Sequence, residues 1–177
     1  DFRGRKETMG RRVPPGFAPP APGFGRGGMT TEKRRQAVLL MAEDNDDDFL
    51  LARSALEEAR LLNDLRRVRD GVELLDYLRR RPPFEDPEEN PLPALILLDL
   101  NMPKIDGREA LSQIRNDPAL CHIPVVVLTS STAPEDVQQA YRLGVNSYIA
   151  KPVTFAGLVA SLRILGLYWF ELVVRPE

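Results

Sequence analysis

The sequence predicts an α/β fold in which helices cover both faces of a parallel β-sheet. Three short segments, residues 37–42, 94–98 and 125–128, are continuous runs of apolar residues. Strands that are apolar on both faces are typical of a parallel sheet that lies buried between helices. Between these runs, apolar residues recur at spacings of three and four, which indicates amphipathic helices.

The individual elements follow from local patterns in chain order. The first apolar run ends in acids and leads into a segment with leucines and alanines at helical spacing. A weaker strand, a short helix and a loop rich in proline and acids (residues 81–93) precede the second run. A later helix opens with Pro134, which is favoured in a first turn. The predicted strands are 37–42, 65–69, 94–98, 125–128 and 147–150, and the predicted helices are 48–60, 72–78, 107–115, 134–143 and 155–170.

Five strands that alternate with five helices over about 140 residues favour the flavodoxin-like doubly wound fold, whose sheet has the order 2-1-3-4-5. In such sheets the functional site lies at the carboxyl ends of the strands. The domain is predicted to span residues 36–170, between a tail at 1–35 and a C-terminal extension at 171–177.

The tail differs from the rest of the chain in composition and charge. It holds nine Lys or Arg against three Asp or Glu, whereas the whole chain has a net charge of −2. Its many Gly and Pro residues predict a flexible coil that cannot bury enough apolar surface to fold. Two interpretations stay open: a basic tether for an acidic partner, or non-native or upstream sequence before a natural start near Met29. We favour the second.

The composition excludes several classes of site. One Cys and one His exclude a disulfide framework, a cysteine zinc site and a multi-histidine metal site. The acidic body makes nucleic acid an unfavourable partner, and a lone thiol suits a reducing compartment. We therefore expect a cytoplasmic protein that binds no nucleic acid and whose chemistry uses carboxylates, hydroxyls and amines.

Side chains suited to one reaction follow four of the predicted strands. Glu43 and Asp44 follow the first strand, Asp99 the third, Thr129 the fourth and Lys151 the fifth. The carboxyl ends of parallel strands meet at one edge, so we expect these side chains to lie close together. Carboxylates suit Mg²⁺, one carboxylate can attack phosphorus, and a hydroxyl and an ammonium can hold phosphoryl oxygens. The pattern predicts phosphoryl transfer.

With these residues in place, the chain resembles the CheY-like receiver domains of two-component response regulators over residues 36–170. Each matching stretch alone is weakly specific, but the four in this order are specific. They are Glu43-Asp44-Asn45, Asp99-Leu100-Asn101-Met102-Pro103-Lys104-Ile105-Asp106-Gly107, Thr129-Ser130 and Tyr148-Ile149-Ala150-Lys151-Pro152.

The resemblance implies a chemical role for the residues at the strand ends. Asp99 would accept a phosphoryl group from a phosphohistidine of a sensor histidine kinase, and Thr129 and Lys151 would bind that group. The protein would be no enzyme beyond catalysing its own phosphorylation and dephosphorylation. Mg²⁺ would be held by Glu43, Asp44, Asp99 and the backbone carbonyl of Asn101.

The resemblance also implies a conformational switch. Tyr148 would turn inward when Thr129 is drawn to the phosphoryl group. Lys151 would be held by a cis peptide bond to Pro152, since cis bonds are essentially a feature of residues before proline.

Other acids near the strand ends have simpler interpretations. Asp46, Asp47 and Asp48 are predicted to cap the following helix and to complement its dipole. Asp106 and Gly107 are predicted to form a turn into the third helix, without a chemical role.

A narrower resemblance is to the stand-alone response regulators that are paired with phytochrome-type sensor histidine kinases. It rests on the loop 81–93, on the residues Gly107-Arg108-Glu109 and on the ending at 168–176. No output domain follows before Glu177, so we expect a stand-alone regulator that signals by contact.

The segment 153–174 is apolar at 16 of its 22 positions, with Arg163 and Glu171 as its charges. A surface helix needs only an apolar stripe. The surplus predicts a homodimer face built from the last helix, the fifth strand and the fourth helix. The alternative is an end that folds back and covers itself. Arg163 in mid-segment argues against a membrane span.

Two other functions use similar residues. A haloacid-dehalogenase-like Mg²⁺-dependent phosphatase places a general acid two residues after its nucleophile. That position is Asn101 here, which favours a stored acyl phosphate over turnover. A receiver-like interaction module without phosphorylation usually lacks an acidic ligand, the phosphoacceptor Asp or the Lys, and this chain has all of them.

Overall fold

The computed structural model describes residues 37–61 and 63–172, in which strands and helices alternate as predicted. The strands are β1 (Val38–Ala42), β2 (Asp64–Val68), β3 (Leu95–Leu98), β4 (Val125–Thr129) and β5 (Ser147–Ala150). The helices are α1 (Asp46–Glu58), α2 (Gly71–Leu78), α3 (Gly107–Asn116), α4 (Pro134–Arg142) and α5 (Phe155–Leu167). The predicted tail at 1–35 and residues 173–177 of the predicted extension lie outside the described residues.

The five strands form one sheet in the order β2-β1-β3-β4-β5, and every neighbouring pair is parallel. The predicted flavodoxin-like fold is therefore confirmed. In this order the connections run toward one edge of the sheet from β1 to β2 and toward the other edge from β3 onward. A crevice opens between β1 and β3, at the carboxyl ends of the strands. The pairing of Ala42 with Leu98 places the next residues, Glu43 and Asp99, side by side at that crevice.

Each face of the sheet carries its own apolar layer. On one face, Leu40, Ile96 and Val127 pack with α2 and α3. On the other face, Leu39 and Leu97 pack with α1 and α5. Successive side chains of a strand point to opposite faces, so both faces must be apolar. Burial of each such side chain contributes about 1.5–3 kcal/mol.

Side-chain caps begin four of the five helices. Asn45 caps α1, and its Oδ1 accepts hydrogen bonds from the N–H groups of Asp47 and Asp48. The prediction that Asp46, Asp47 and Asp48 cap this helix is wrong, because the cap position with extended backbone falls on Asn45. The three aspartates fill the first turn, where their charges complement the helix dipole. The other caps are Asp70 for α2, Asp106 for α3 and Thr154 for α5.

The end of the last predicted helix differs from a regular α-helix. The predicted element 155–170 is α5 as far as Leu167, followed directly by a π-helical turn at Tyr168–Leu172. Trp169 and Phe170 in this turn are buried in the same apolar layer as α1. Part of the apolar surplus of the sequence is therefore covered by the chain itself.

The segment Phe155–Leu172 is long and apolar enough to cross a membrane if only length and composition are considered. In the structure its Leu158, Leu162 and Leu165 are buried against α1 and the sheet. One side of the segment therefore packs against the domain, whereas Ile164 and Leu172 on it are exposed.

Candidate functional site

The carboxyl edge of the sheet brings together the side chains that the sequence pattern singled out. Lys151 Nζ, after β5, lies 2.6 Å from Glu43 Oε2 and 3.2 Å from Asp99 Oδ2. The Thr129 hydroxyl, at the end of β4, donates a hydrogen bond of 2.8 Å to Asp99 Oδ1. Four strand ends therefore supply one cluster of polar groups.

Asp99 lies at the centre of this cluster and is only 7% exposed. Its two carboxylate oxygens have different partners. Oδ1 accepts hydrogen bonds from the Thr129 hydroxyl and, at 3.2 Å, from the N–H of Asn101. Oδ2 faces the ammonium of Lys151. One oxygen is thus surrounded by neutral donors and the other by charge.

Glu43, Asp44 and Asp99 form an acidic group that fits a metal ion. One carboxylate oxygen from each residue lies within 4.8 Å of the others. Hard oxygen donors at this spacing suit a divalent cation such as Mg²⁺ or Mn²⁺. The backbone N–H of Asn101 is bonded to Asp99, and the role of its carbonyl as a further ligand stays a prediction.

Glu43 is fully buried within this group. Its Oε1 accepts a hydrogen bond from the N–H of Asn45, and its Oε2 contacts Lys151. Burial raises the pKa of Glu43, and the hydrogen bonds from Lys151 and Asn45 only partly oppose this rise. A buried carboxylate with a raised pKa is a group that gains from a nearby cation.

Asp48 belongs to the cluster, although the sequence pattern assigned it only to the start of a helix. Its Oδ2 lies 2.7 Å from Lys151 Nζ, closer than Asp99. Burial lowers the pKa of Lys151, but the hydrogen bonds to Asp48 and Glu43 outweigh this effect and the net shift is upward. The one local signal for Asp48 is the third acid in the first turn of a helix that begins at the strand edge, and the helix dipole explains that acid equally well.

The predicted cis peptide bond between Lys151 and Pro152 is wrong. In the described part of the chain, the cis bond joins Pro82 to Pro83. The trans isomer is favoured by about 0.5–1 kcal/mol before proline. With the trans bond, Lys151 already reaches three carboxylates.

Gly107 has a structural role at the site that the sequence pattern did not reveal. A Cβ atom at this position would lie 2.2 Å from the carbonyl oxygen of Asp99. Only glycine lets the start of α3 approach the backbone of Asp99 so closely. Asp106 caps the same helix. The predicted turn at Asp106 and Gly107 therefore also packs against the backbone of Asp99 and holds it in place.

Tyr148 and Ser131 form a second polar network beside Thr129. The half-buried Tyr148 donates a hydrogen bond of 3.0 Å from its hydroxyl to the carbonyl of Ser131. The Ser131 hydroxyl donates to Asp136 on α4, which also pairs with Arg108 on α3. The hydrogen bonds from Ser131 and Arg108 lower the pKa of Asp136. Arg108 and Asp136 were missed because their contact joins two helices whose packing no local pattern reveals.

The loop after β3 is fastened to α2. Lys104, in a left-handed conformation with φ of 65°, places its Nζ 2.5 Å from Asp70 Oδ2. Asp70 also caps α2, and the next N–H, that of Gly71, donates to the carbonyl of Ile105. The loop that carries Asn101 is therefore anchored at its far end.

Comparison with known proteins agrees with this geometry. The profile of the response regulator receiver domain matches residues 39–163. The response regulator Rcp1 of Synechocystis sp. is 38% identical over 126 residues, which are 71% of this chain and 84% of Rcp1. The crystal structure of its Mn²⁺-bound form has a TM-score of 0.71 and 38% identity, over 80% of this chain and 99% of that chain.

Two further crystal structures are similar over 80% of this chain and 99% of their own. The phosphorylated cyanobacterial phytochrome response regulator RcpA has a TM-score of 0.74 and 37% identity. The response regulator RPA3017 in red light signalling of R. palustris has a TM-score of 0.76 and 37% identity. The acidic group and the Mn²⁺-bound relative together indicate a divalent-metal site, and the haloacid-dehalogenase alternative finds no support.

The sheet order and the clustered strand ends agree with the profile match and with relatives that include a phytochrome response regulator. This chain therefore belongs to the response regulator receiver domain family, whose signalling proteins pair with sensor histidine kinases.

Proposed function

We propose that this chain is a stand-alone response regulator that a sensor histidine kinase phosphorylates on Asp99 in a Mg²⁺-dependent reaction. The observation that carries the proposal is the surroundings of the buried Asp99 carboxylate, which meets the Thr129 hydroxyl and the Lys151 ammonium at 2.8 and 3.2 Å. Phosphoryl transfer asks a protein mainly for positioning and charge neutralisation. These groups supply both.

The reaction forms one bond and breaks one. An Asp99 oxygen attacks the phosphorus of a phosphohistidine, the P–O bond forms as the P–N bond breaks, and the imidazole of the kinase leaves. Lys151 exchanges part of its contacts with carboxylates for the phosphoryl oxygens. Thr129 donates its hydrogen bond to another of these oxygens.

Mg²⁺ is the metal that we assign to the acidic group. Glu43, Asp44, Asp99 and the carbonyl of Asn101 would hold it, and the bound ion supplies positive charge next to the phosphoryl oxygens. All are hard oxygen donors, which Mg²⁺ prefers.

The conformational output passes through Thr129. When its hydroxyl leaves Asp99 for the phosphoryl group, the loop after β4 shifts with it. Tyr148 then loses its hydrogen bond to Ser131 and turns inward. The surface formed by α4 and β5 changes as a result.

The domain catalyses only its own phosphorylation and dephosphorylation. A general acid two residues after the phosphoacceptor would speed turnover, but this position holds Asn101, which cannot protonate a leaving group. The acyl phosphate is therefore stored long enough to act as a signal.

The proposed partner is a phytochrome-type sensor histidine kinase in the cytoplasm, and nucleic acid is not a partner. Two of the similar structures are of a phytochrome response regulator and of a regulator in red light signalling. The acidic balance of the body disfavours nucleic acid.

We further propose a homodimer through α5 and the π-helical turn. Ile164 and Leu172 are 68% and 67% exposed, and Leu167 and Tyr168 are about half exposed. Ile164, Leu167 and Tyr168 share one face because helical residues three and four apart are neighbours. Sedimentation at micromolar concentration should detect a dimer that Ile164→Glu disrupts. A monomer both with and without acetyl phosphate would overturn this part.

Phosphorylation with acetyl phosphate tests the central proposal. With Mg²⁺, intact-mass analysis should show the gain of one phosphoryl group, and chelation of the metal should prevent it. Asp99→Asn should abolish the gain, whereas Asp47→Asn, which removes an exposed acid one position from Asp48, should not. Undiminished uptake by the Asp99 variant would overturn the assignment. Transfer from purified sensor kinases would then identify the partner.

A further inference from the structure

Arg67, on the edge strand β2, reaches across to the loop that carries two of the acids. Its Nε donates to the carbonyl of Glu43 at 2.8 Å, and its Nη2 to the carbonyl of Asp44 at 3.0 Å. Its Nη1 lies 2.5 Å from Asp46 Oδ1. One side chain therefore binds the carbonyls of Glu43 and Asp44 in the loop between β1 and α1, and the carboxylate of Asp46 at the start of α1.

The guanidinium is itself held in a fixed plane. Its side chain is only 13% exposed, and its Cζ lies 4.8 Å from the centre of the Phe49 ring on α1. A guanidinium presents its donors in a rigid fork and stacks on aromatic rings. The fork matches two neighbouring carbonyls, which the single ammonium of a lysine would not.

We propose that Arg67 is a positioning residue for the divalent metal. By fixing the peptide planes of Glu43 and Asp44, it orients the carboxylates of these residues toward Asp99 and so raises the affinity of the site for Mg²⁺. The inference rests on the proposed function, because it needs these carboxylates to be metal ligands.

Two effects of Arg67 on the metal have opposite signs. Its positive charge repels a cation, and its hydrogen bonds pre-organise the ligands. The carboxylate of Asp46 contacts the Arg67 guanidinium and neutralises its positive charge. This contact weakens the repulsion of the metal ion but leaves the two hydrogen bonds to the backbone carbonyls intact. We therefore expect the positioning effect to exceed the repulsion.

Arg69 offers a matched control for charge. Its Nη1 lies 2.8 Å from the same oxygen of Asp46, and its side chain is 58% exposed. Its contacts in the structure are with Asp46 and, through its backbone N–H, with Glu73. Arg69→Gln thus removes a charge of the same sign beside Asp46 and leaves the fork on the carbonyls intact.

The test is calorimetric titration of the full chain with MgCl₂ in the absence of any phosphoryl donor. Arg67→Gln should weaken binding about tenfold. Arg67→Lys, which keeps the charge but loses the fork, should also weaken it several-fold. Arg69→Gln should leave the affinity equal to or slightly above that of the parent. Thermal unfolding of each variant verifies that the titrated protein is folded.

Three results would overturn the inference. Tighter binding by both glutamine variants would mean that Arg67 acts through its charge alone. Unchanged affinity in a folded but less stable Arg67→Lys would mean a purely structural role. No Mg²⁺ binding by the parent protein would overturn the proposed metal site together with the inference.

Phosphorylation by acetyl phosphate distinguishes a failure of this inference from a failure of the proposed function. The Arg67→Gln rate should return to that of the parent at high Mg²⁺ concentration, because only the occupancy of the site is reduced. A rate that stays low at saturating Mg²⁺ would contradict a positioning role toward the metal. Asp99→Asn should stay inactive at every Mg²⁺ concentration. Phosphorylation of this variant would contradict the proposed function itself.

Discussion

The two oxygens of the Asp99 carboxylate face two halves of the site that are built differently. On the Oδ2 side, Lys151 lies among the carboxylates of Glu43 and Asp48, in a group of mostly buried charges. On the Oδ1 side, the Thr129 hydroxyl donates to Asp99 and accepts from the backbone N–H of Ser131, whose carbonyl accepts from the Tyr148 hydroxyl. We call these the charged half and the hydroxyl half.

This difference assigns the phosphoryl chemistry to the charged half and the conformational change to the hydroxyl half. Breaking a buried ion pair by removing one partner costs about 3–5 kcal/mol, because a charge is left uncompensated. Exchanging a hydroxyl partner costs only about 1 kcal/mol. The charged half therefore suits a rigid phosphoryl site, and the hydroxyl half suits a switch.

Lys151→Met should have the largest effect, because it empties the charged half of its cation. We expect at least a hundredfold slower phosphorylation. Without Mg²⁺, the free energy of unfolding should fall by about 3 kcal/mol, since Glu43 is left buried without its partner. Urea unfolding with and without MgCl₂ measures the second effect, and Mg²⁺ should restore part of the loss.

The matched control is Lys104→Met, since Lys104 is an exposed lysine that also pairs with a buried carboxylate outside the cluster. It should leave the phosphorylation rate close to that of the parent. Equal losses of unfolding free energy in Lys151→Met and Lys104→Met would contradict the larger cost that we assign to breaking the ion pairs of the charged half.

Gly107→Ala should disturb both halves, because it acts on the backbone of Asp99 that they share. The added Cβ would meet the Asp99 carbonyl oxygen at 2.2 Å, so α3 or the end of β3 must shift. We expect a loss of about 2 kcal/mol in unfolding free energy together with slower phosphorylation. A variant as stable and as active as the parent would show that this close approach is not needed.

Thr129→Val should separate the halves. Valine keeps the volume of this buried side chain but removes the hydrogen bond to Asp99 Oδ1, so stability should change by about 1 kcal/mol. Phosphorylation should persist at a reduced rate that exceeds the rate of Lys151→Met, since the charged half is untouched. Hydrogen exchange at residues 130–133 should no longer respond to acetyl phosphate. A normal response in this variant would remove Thr129 from the switch.

The smallest effect is expected at the outer end of the hydroxyl half, where it depends on pH. Hydrogen bonds from Ser131 and Arg108 lower the pKa of Asp136 below its ordinary value of 3.8. A lowered carboxyl pKa means that this stabilisation is complete above the ordinary value and is lost as pH falls through the lowered one. The loop after β4 should therefore exchange faster between conformations, as measured by NMR relaxation, only below about pH 3.8.

Asp136→Asn should show the faster loop exchange already at neutral pH. Arg108→Gln should produce a weaker form of the same change, because the Ser131 hydrogen bond to Asp136 remains. Identical exchange in the parent and in both variants at every pH would show that the ion pair does not hold the loop.

The parts of the site that the sequence predicted are those with a local signature. Apolar runs end in Glu43, Asp99, Thr129 and Lys151, so their convergence follows from the parallel order of the strands. Asp48 also has a local signature, but its acidic first turn is explained equally well by the helix dipole. Only the packing of α1 beside α5 brings it to Lys151.

The parts that the sequence did not predict depend on packing or on small energy differences. Arg67 is one of two arginines in β2, and nothing local distinguishes the one that faces the acidic loop from Arg66. The isomer at Lys151–Pro152 was also open, since an X-Pro bond admits both forms with little difference in free energy.

The buried end of the π-helical turn gives the protein a natural optical label. Trp169 is the single tryptophan of the chain, and its ring lies edge-on to that of Tyr168 with centroids 5.2 Å apart. It stands at the far end of a 13-residue helix that starts at the carboxyl edge, about 20 Å along the axis. Because its ring contacts Tyr168, a residue of the proposed dimer face, we expect its fluorescence emission to respond more to burial of that face than to the charge on Asp99. A shift in emission wavelength on addition of acetyl phosphate, checked against sedimentation, would test in real time and without any attached dye whether the proposed pairing of chains responds to phosphorylation.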